Sequence, residues 1–213
     1  MKIALFGASG MIGQRVLHEA VQRGHIVTAV ARDPSKITET HPNIRPVKAD
    51  LLDPKVVATV VAGHDAVVSA FSPSGGQSMD SLVASARSLI AGLKQAGVKR
   101  LIVVGGAGSL AVAPGLKLID APAFPAAYKE VAKAHSQMLD VMRAEANDLD
   151  WTNFSPAAII EPGTRTGKFR LDTDNLVADA QGNSRISAED YAVALVDELE
   201  KPKYIKKRFT AGY

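Results

Sequence analysis

The stretch that most limits what this chain can fold into is its first thirteen residues. Lys2–Phe6 (KIALF) is a short apolar run suited to a buried strand. Gly7-Ala8-Ser9-Gly10-Met11-Ile12-Gly13 follows at once, and from Gln14 to Arg23 apolar residues recur at Val16, Leu17, Ala20 and Val21 with helical spacing. A strand, a G-x-x-G-x-x-G turn and a helix make the opening of a dinucleotide-binding unit. Gly7 permits the tight turn. Gly10 lets the backbone approach a pyrophosphate where a Cβ would intrude, and Gly13 lets helix and strand pack closely. The helix N-terminus adds N–H groups without partners and the positive end of a dipole for the phosphates.

After this opening, strands and helices alternate. His25–Ala31, Ile44–Lys48, Asp65–Ala70 and Arg100–Val104 read as strands two to five. Asp53-Pro54 starts a helix that runs to about Ala62 before Gly63, and a second helix covers Asp80–Ala96 before Gly97. These spacings suit right-handed crossovers and predict an α/β fold with a doubly wound parallel sheet. Pro73–Ser78, with Gly75-Gly76, reads as a flexible loop. Residues 110–127 read as a long structureless loop forming a wall of the substrate cleft, with Leu116, Leu118, Ile119 and Phe124 as lining. Tyr128–Glu145 is a helix with an inner stripe of Val131, His135, Met138, Leu139 and Met142, which makes His135 a core or boundary residue. Trp151–Phe154 is a sixth strand, and Ser155–Gly163 leaves the sheet. Thr166–Leu171 and Leu176–Ala178 read as small strands. Ser187 caps a last helix in a Ser187-Ala188-Glu189-Asp190 box, and Arg208–Ala211 is a final edge strand.

A length of 213 residues suits one domain. Its expected parts are a core over 1–154, a small substrate-side portion over 155–186, and a closing helix and edge strand over 187–213. The absence of cysteine excludes disulfides, thiolate chemistry and a cysteine-held metal. The five histidines form no H-x-x-x-H pattern, so no metal is expected. No run approaches the roughly 18–20 apolar residues of a membrane span. Residues 1–6 are needed as a strand rather than as part of a signal peptide, so a cytoplasmic protein is expected. The net charge of +3 is dispersed apart from Lys206-Lys207-Arg208, which gives no reason to expect nucleic acid.

The carboxyl ends of the strands supply the candidate site. An acid at the end of the second strand would accept from a ribose 2′-OH; here Arg32 stands there, and its guanidinium suits a 2′-phosphate. That favours NADP(H), with NAD(H) possible, and Lys36 can assist. Asp33 is read as a cap for the turn at Pro34-Ser35. Asp50, followed by Leu51, lies beside the adenine; it either accepts from the adenine amino group or caps backbone N–H groups. Ser69, Ala70 and Phe71 should pass under the cofactor. Gly105 and Gly106 begin a glycine-rich bend whose close neighbour would be the nicotinamide or the substrate. Ser109 is the candidate catalytic residue, as a hydrogen-bond donor to substrate. Lys133 is a candidate for the nicotinamide ribose. Tyr128 lacks the partner used in carbonyl reduction: Ala132 stands four residues on, and Lys129 and Lys133 lie on other faces of the helix. Hydride can still pass without a protein acid to an electron-poor acceptor that water protonates, such as a flavin or quinone. A protein that binds the cofactor without turnover fits the same residues.

Six stretches carry a resemblance that covers the whole chain: KIALFGASGMIG at 2–13, VGGAGSL at 104–110, LDWTNFSPA at 149–157, PGTRTGKFRL at 162–171, ISAEDYAVALVDELE at 186–200 and RFTAGY at 208–213. The chain resembles the atypical short-chain dehydrogenase/reductase proteins provisionally named NADH-flavin reductases. These sit in a wider NAD(P)-binding group with NmrA-like regulators and biliverdin reductase B-like proteins. The resemblance implies a Rossmann-like domain with a small C-terminal substrate portion, NAD(P)H binding, and flavin as a possible substrate. In biliverdin reductase B-like proteins a serine after the fifth strand and a histidine after the sixth lie by the substrate. Ser109 matches the first; Ala157 or Ala158 stands where the second belongs, so tetrapyrrole reduction does not carry over. The expected function is NAD(P)H-dependent hydride transfer to a flavin or quinone-like small molecule, by a monomer or homodimer. The alternative is a non-catalytic NAD(P)-sensing regulator of the NmrA type. A sugar-nucleotide or small-carbonyl enzyme is disfavoured by the small C-terminal portion and the missing acid.

Overall fold

Alternation along one strand sets up the architecture. In β1 (Lys2–Phe6), Ile3 and Leu5 enter one apolar cluster while Ala4 and Phe6 enter another. A strand buried on both faces needs a layer of helices on each side. The structure, a computed structural model, describes residues 1–73 and 76–213. After β1 come α1 (Met11–Gln22), β2 (Ile26–Ala31), β3 (Ile44–Lys48), α2 (Pro54–Val61), β4 (Ala66–Ser69), α3 (Asp80–Ala96) and β5 (Arg100–Val104). Two short strands, β6 (Ala111–Ala113) and β7 (Leu116–Lys117), precede α4 (Lys129–Glu145), β8 (Asp150–Ser155), β9 (Ile159–Glu161) and β10 (Arg170–Asp172). The chain ends with β11 (Arg185–Ser187), α5 (Ala188–Glu200) and β12 (Lys207–Gly212).

Eight strands form one sheet in the order β10-β12-β8-β5-β4-β1-β2-β3, parallel throughout except where β10 runs antiparallel to β12. Helices α1 and α5 cover one face, and α2, α3 and α4 cover the other. This is the Rossmann-like α/β fold expected. The strand order reverses at β1, which lies between β2 and β4, so the crevice of the fold opens at the carboxyl ends of those strands.

Local chemistry explains the boundaries. Asp53 caps α2 by accepting from the Lys55 N–H at 2.9 Å, with Pro54 in the first turn. Gly97 ends α3 at φ +72°, a conformation costly for residues with a Cβ. Pro46 is tolerated in β3 because that strand is an edge. Near the far edge, Phe154 stacks between Tyr191 and Phe209 with ring centroids 3.9 and 4.0 Å away.

Several expected elements are corrected. Helix α1 begins at Met11 rather than Gln14, so Gly13 lies inside its first turn. Helix α4 begins at Lys129, with Tyr128 at the preceding cap position. Residues 110–127 are not structureless: β6 and β7 form a hairpin, and turns of 3-10 helix follow at Leu118–Asp120 and Ala126–Tyr128. The strand expected from Thr166 is confined to 170–172. Leu176–Ala178 is not a strand; Asn175 makes only an isolated bridge to Ala111. Ile159–Glu161 does leave the main sheet as expected, and there pairs with β11 in a separate two-stranded sheet. Finally, β12 is no edge strand, because β10 folds back along its outer side. Ser74 and Gly75, read as part of the flexible loop, lie outside the described residues.

Candidate functional site

Where β1, β2 and β4 end, the chain leaves a cleft of about 220 Å³. Its walls include Gly7, Ser9, Gly10, Arg32, Asp50, Leu51, Ala70 and Phe71 from the sequence-based set. Phe6, Val30, Ala31, Ala49, Ser72 and Pro73 complete it. Six of these, Phe6, Gly7, Ala31, Arg32, Ala49 and Ala70, are the last residue of a strand or the first beyond one, a positional signal that was available in the sequence.

The glycine turn closes one end. Gly7 has φ +76°, and a Cβ there would lie 2.6 Å from the Ala70 carbonyl oxygen, so the turn passes this close to the end of β4 only with glycine. A Cβ at Gly13 would lie 2.0 Å from the Gly7 carbonyl oxygen, which is the close helix–strand packing expected of it. Gly10 is different. It has ordinary extended geometry (φ −78°, ψ 168°), and a Cβ would meet only the Gly7 carbonyl oxygen, at 3.4 Å. Protein packing therefore does not demand glycine at a position that lines the cleft.

The first bond within α1 runs from the Gln14 N–H to the Gly10 carbonyl at 2.9 Å. The N–H groups of Met11, Ile12 and Gly13 precede it and have no partner inside the helix. No side chain caps this terminus. The Gln14 side chain holds the turn by donating to the Ser9 carbonyl at 2.9 Å. Ala8 is fully buried, and its N–H goes to the Val30 carbonyl at 3.3 Å.

On the opposite wall, Arg32 is exposed at the end of β2. Asp33 caps its turn, accepting from the Ser35 N–H at 3.2 Å and from the Ser35 hydroxyl at 2.6 Å. These bonds, the hydroxyl first, hold the Asp33 carboxyl below the ordinary range. Asp50 Oδ1 accepts from the Leu52 N–H at 2.9 Å, which is the capping role of its two readings.

Gly105, Gly106, Ser109 and Lys133 do not line this cleft; they belong to the adjoining ends of β5 and α4. Ser69 is buried at the end of β4 and also stands back from it. A Cβ at Gly105 would lie 2.4 Å from Asn153 Oδ1, one at Gly106 2.8 Å from the His135 Cβ, and one at Gly108 2.7 Å from the Ala132 Cβ. Protein groups thus already crowd all three of these glycines. His135 is half-buried with its Nδ1 fully enclosed, and this burial holds its pKa down to about 4, so it is neutral at physiological pH. His135 Nδ1, Asn153 Nδ2 and Ser155 Oγ are buried without a partner among the described residues. Asn153 and Ser155 escaped the sequence reading because they lie within a strand of mixed character.

Tyr128 is 62% exposed, and Lys133 points into solvent, so no tyrosine–lysine pair forms. Ser109 Oγ accepts from Arg208 Nη1 at 2.9 Å. Among the described residues no group of three or more His, Cys, Asp or Glu side chains is placed to hold a metal, and no helix is long and apolar enough to cross a membrane.

A family profile described as NAD(P)H-binding matches residues 7–202. The chain is 41% identical to the uncharacterised protein YwnB of Bacillus subtilis, over 99% of this chain and 97% of that protein. A crystal structure from Burkholderia pseudomallei, provisionally called an exported protein, is 51% identical, with a TM-score of 0.91 and all of both chains covered. Another, from Streptococcus pneumoniae and provisionally named an NADH-flavin reductase, is 37% identical with a TM-score of 0.88. That match covers 100% of this chain and 99% of the other.

Proposed function

This chain belongs to the NAD(P)H-binding family, and from that premise we propose that it is an oxidoreductase passing hydride from NADPH, with NADH as second choice, to a flavin or quinone-like acceptor. The observation that carries the reading is Gly10: a glycine that the fold does not need, facing a cleft at the uncapped start of a helix. A pyrophosphate explains it, since phosphate oxygens seek helical N–H groups and crowd any Cβ. The provisional name of the pneumococcal neighbour points to the same class of acceptor.

Bound NADPH supplies the hydride. The protein's share is binding and orientation. The N–H groups of Met11, Ile12 and Gly13 take the pyrophosphate charge. The Arg32 guanidinium, at the rim, takes the 2′-phosphate as a charge-assisted fork. In this reading the reacting rings lie between Phe71 and the 105–109 segment. Among the described residues no tyrosine–lysine pair stands there, so in this reading the acceptor takes its proton from water. That restricts the substrate to molecules that accept hydride without prior protonation.

Anaerobic NADPH oxidation with FMN, riboflavin and a small quinone tests the reading. Saturable, protein-dependent oxidation is expected. Arg32→Ala should raise the NADPH dissociation constant at least tenfold and leave that for NADH nearly unchanged; equal effects would remove the 2′-phosphate role. The exposed Tyr128, which pairs with no lysine among the described residues, equally suits a non-catalytic NAD(P) sensor. Tight NADPH binding with no turnover on any acceptor would decide for that reading.

A further inference from the structure

Ser109 stands five residues beyond the end of β5, half-buried, and its side chain is not left to rotate. Arg208 Nη1 donates to its oxygen at 2.9 Å. A guanidinium has donors only, so the serine proton cannot point back at it. No acceptor takes that proton among the described residues. Arg208 is itself buried to 8% exposure on β12 and is fixed on its other side by Asp174. Its Nε reaches Asp174 Oδ1 at 3.0 Å, and its Nη2 bonds the same oxygen.

The backbone repeats this connection. The Ala111 N–H donates to the Asp174 carbonyl, and the Leu176 N–H donates to the Ala111 carbonyl, each at 2.8 Å. The segment that follows Ser109 is therefore buckled to the 172–176 segment by main chain and side chain together. Three regions meet at one hydroxyl: the end of β5, the stretch after β10, and the last strand, 99 positions away from Ser109.

We propose that Arg208 is a positioning residue: held by Asp174, it occupies one of the two lone pairs of Ser109 Oγ and so biases the hydroxyl proton toward the bound acceptor. The inference rests on the oxidoreductase reading and deepens it. When hydride arrives, the cofactor's C–H bond breaks with its electron pair, the nicotinamide is oxidised, and the acceptor is reduced to an anion that takes a proton from water. Ser109 keeps its own proton and stabilises the developing charge by a hydrogen bond, which the guanidinium behind it polarises. A lysine cannot replace Arg208, because one ammonium does not span Ser109 and Asp174 as the planar fork does.

The test is a double-mutant cycle read in two ways: kcat with NADPH and FMN, and the FMN dissociation constant by fluorescence quenching in the presence of NADP+. Ser109→Ala should lower kcat on the order of 100-fold, as loss of one oxyanion donor does. Arg208→Lys and Asp174→Asn should each lower it roughly tenfold, weaken FMN binding, and leave the NADPH dissociation constant unchanged; Asp174 is largely exposed, so its variant folds even if the buried one does not. In a Ser109→Ala background both substitutions should have no further effect. Effects that persist undiminished in that background, or that are absent without it, overturn the inference while leaving the oxidoreductase reading intact. No turnover by the wild type overturns that reading instead; the FMN-binding cycle then still decides whether Arg208 acts through Ser109.

Discussion

At the scale of single residues, the three glycines of the opening turn separate folding from binding. A Cβ at Gly13 collides with the main chain at 2.0 Å, whereas one at Gly10 makes only a contact at 3.4 Å. Gly13→Ala should destabilise the protein by about 2–3 kcal/mol, an overpacking cost. Gly10→Ala should cost less than about 1 kcal/mol, the scale of a changed N-cap. It should nonetheless weaken NADPH binding at least tenfold. Urea midpoints and calorimetric titration of the two variants check this; unaltered affinity in Gly10→Ala would remove the main support for a phosphate at that turn. His135 gives a second test. An unfolded histidine takes up its proton below about pH 6.5, but burial delays protonation of His135 in the folded protein until about pH 4. Between those values the unfolded state binds more protons, so stability rises with pH across the window and is lost as pH falls. The loss on acidification to pH 4 is about 3 kcal/mol. In His135→Gln the slope between pH 6.5 and 4.5 should flatten, as measured by denaturant unfolding at each pH; the same slope in both proteins would mean that His135 is not protected.

At the scale of elements, the start of α5 shows how the C-terminal third is assembled. Ser187 caps the helix by accepting from the Asp190 N–H at 3.0 Å, as its sequence box predicts. The acid of the box does not reach back in the usual way. Asp190 instead accepts from the Thr166 N–H at 2.8 Å, the Thr166 hydroxyl at 2.5 Å, the Gly167 N–H at 2.7 Å and the Tyr213 hydroxyl at 2.8 Å. Burial alone would raise its pKa, but these bonds outweigh it and hold the carboxyl below the ordinary range. One side chain thus ties the loop before β10, the end of β12 and the positive end of α5 together. Asp190→Ala should cost about 3 kcal/mol, because several donors lose their acceptor at once. Limited proteolysis should cut first within residues 162–168 in this variant. A stability within 0.5 kcal/mol of wild type, about the spread of neutral surface changes, would show that the ties are dispensable.

At the scale of the molecule, legibility falls off along the chain for a physical reason. The parallel core from β1 to β5 is punctuated by residues with one structural use, such as Asp53-Pro54 and Gly97, and its strands are long enough to show a pattern. β9, β10 and β11 have three residues each, too few for periodicity, and their pairing depends on the loop that Asp190 holds. That is why β12 reads as an edge when it is interior. The site divides in the same way. The cleft follows the glycine turn and the strand ends, all local signals, whereas the Arg208–Ser109 contact joins residues 99 apart and leaves no mark in the sequence. The division also makes a prediction for the whole protein. The cleft is built from the ends of β1, β2 and β4 at the centre of the sheet, so a ligand bound there opposes global unfolding rather than fraying of an edge. At one hundred times its dissociation constant, NADPH should add about 2.7 kcal/mol. For a chain of this size that raises the melting temperature by about 5–10 °C. The shift should appear in thermal scans of the wild type and of Ser109→Ala, which lies outside the cleft, but fall to about half or less in Gly10→Ala at the same NADPH concentration. A full shift in Gly10→Ala would place the nucleotide somewhere other than the glycine turn, and the opening thirteen residues would then organise the fold but not the function.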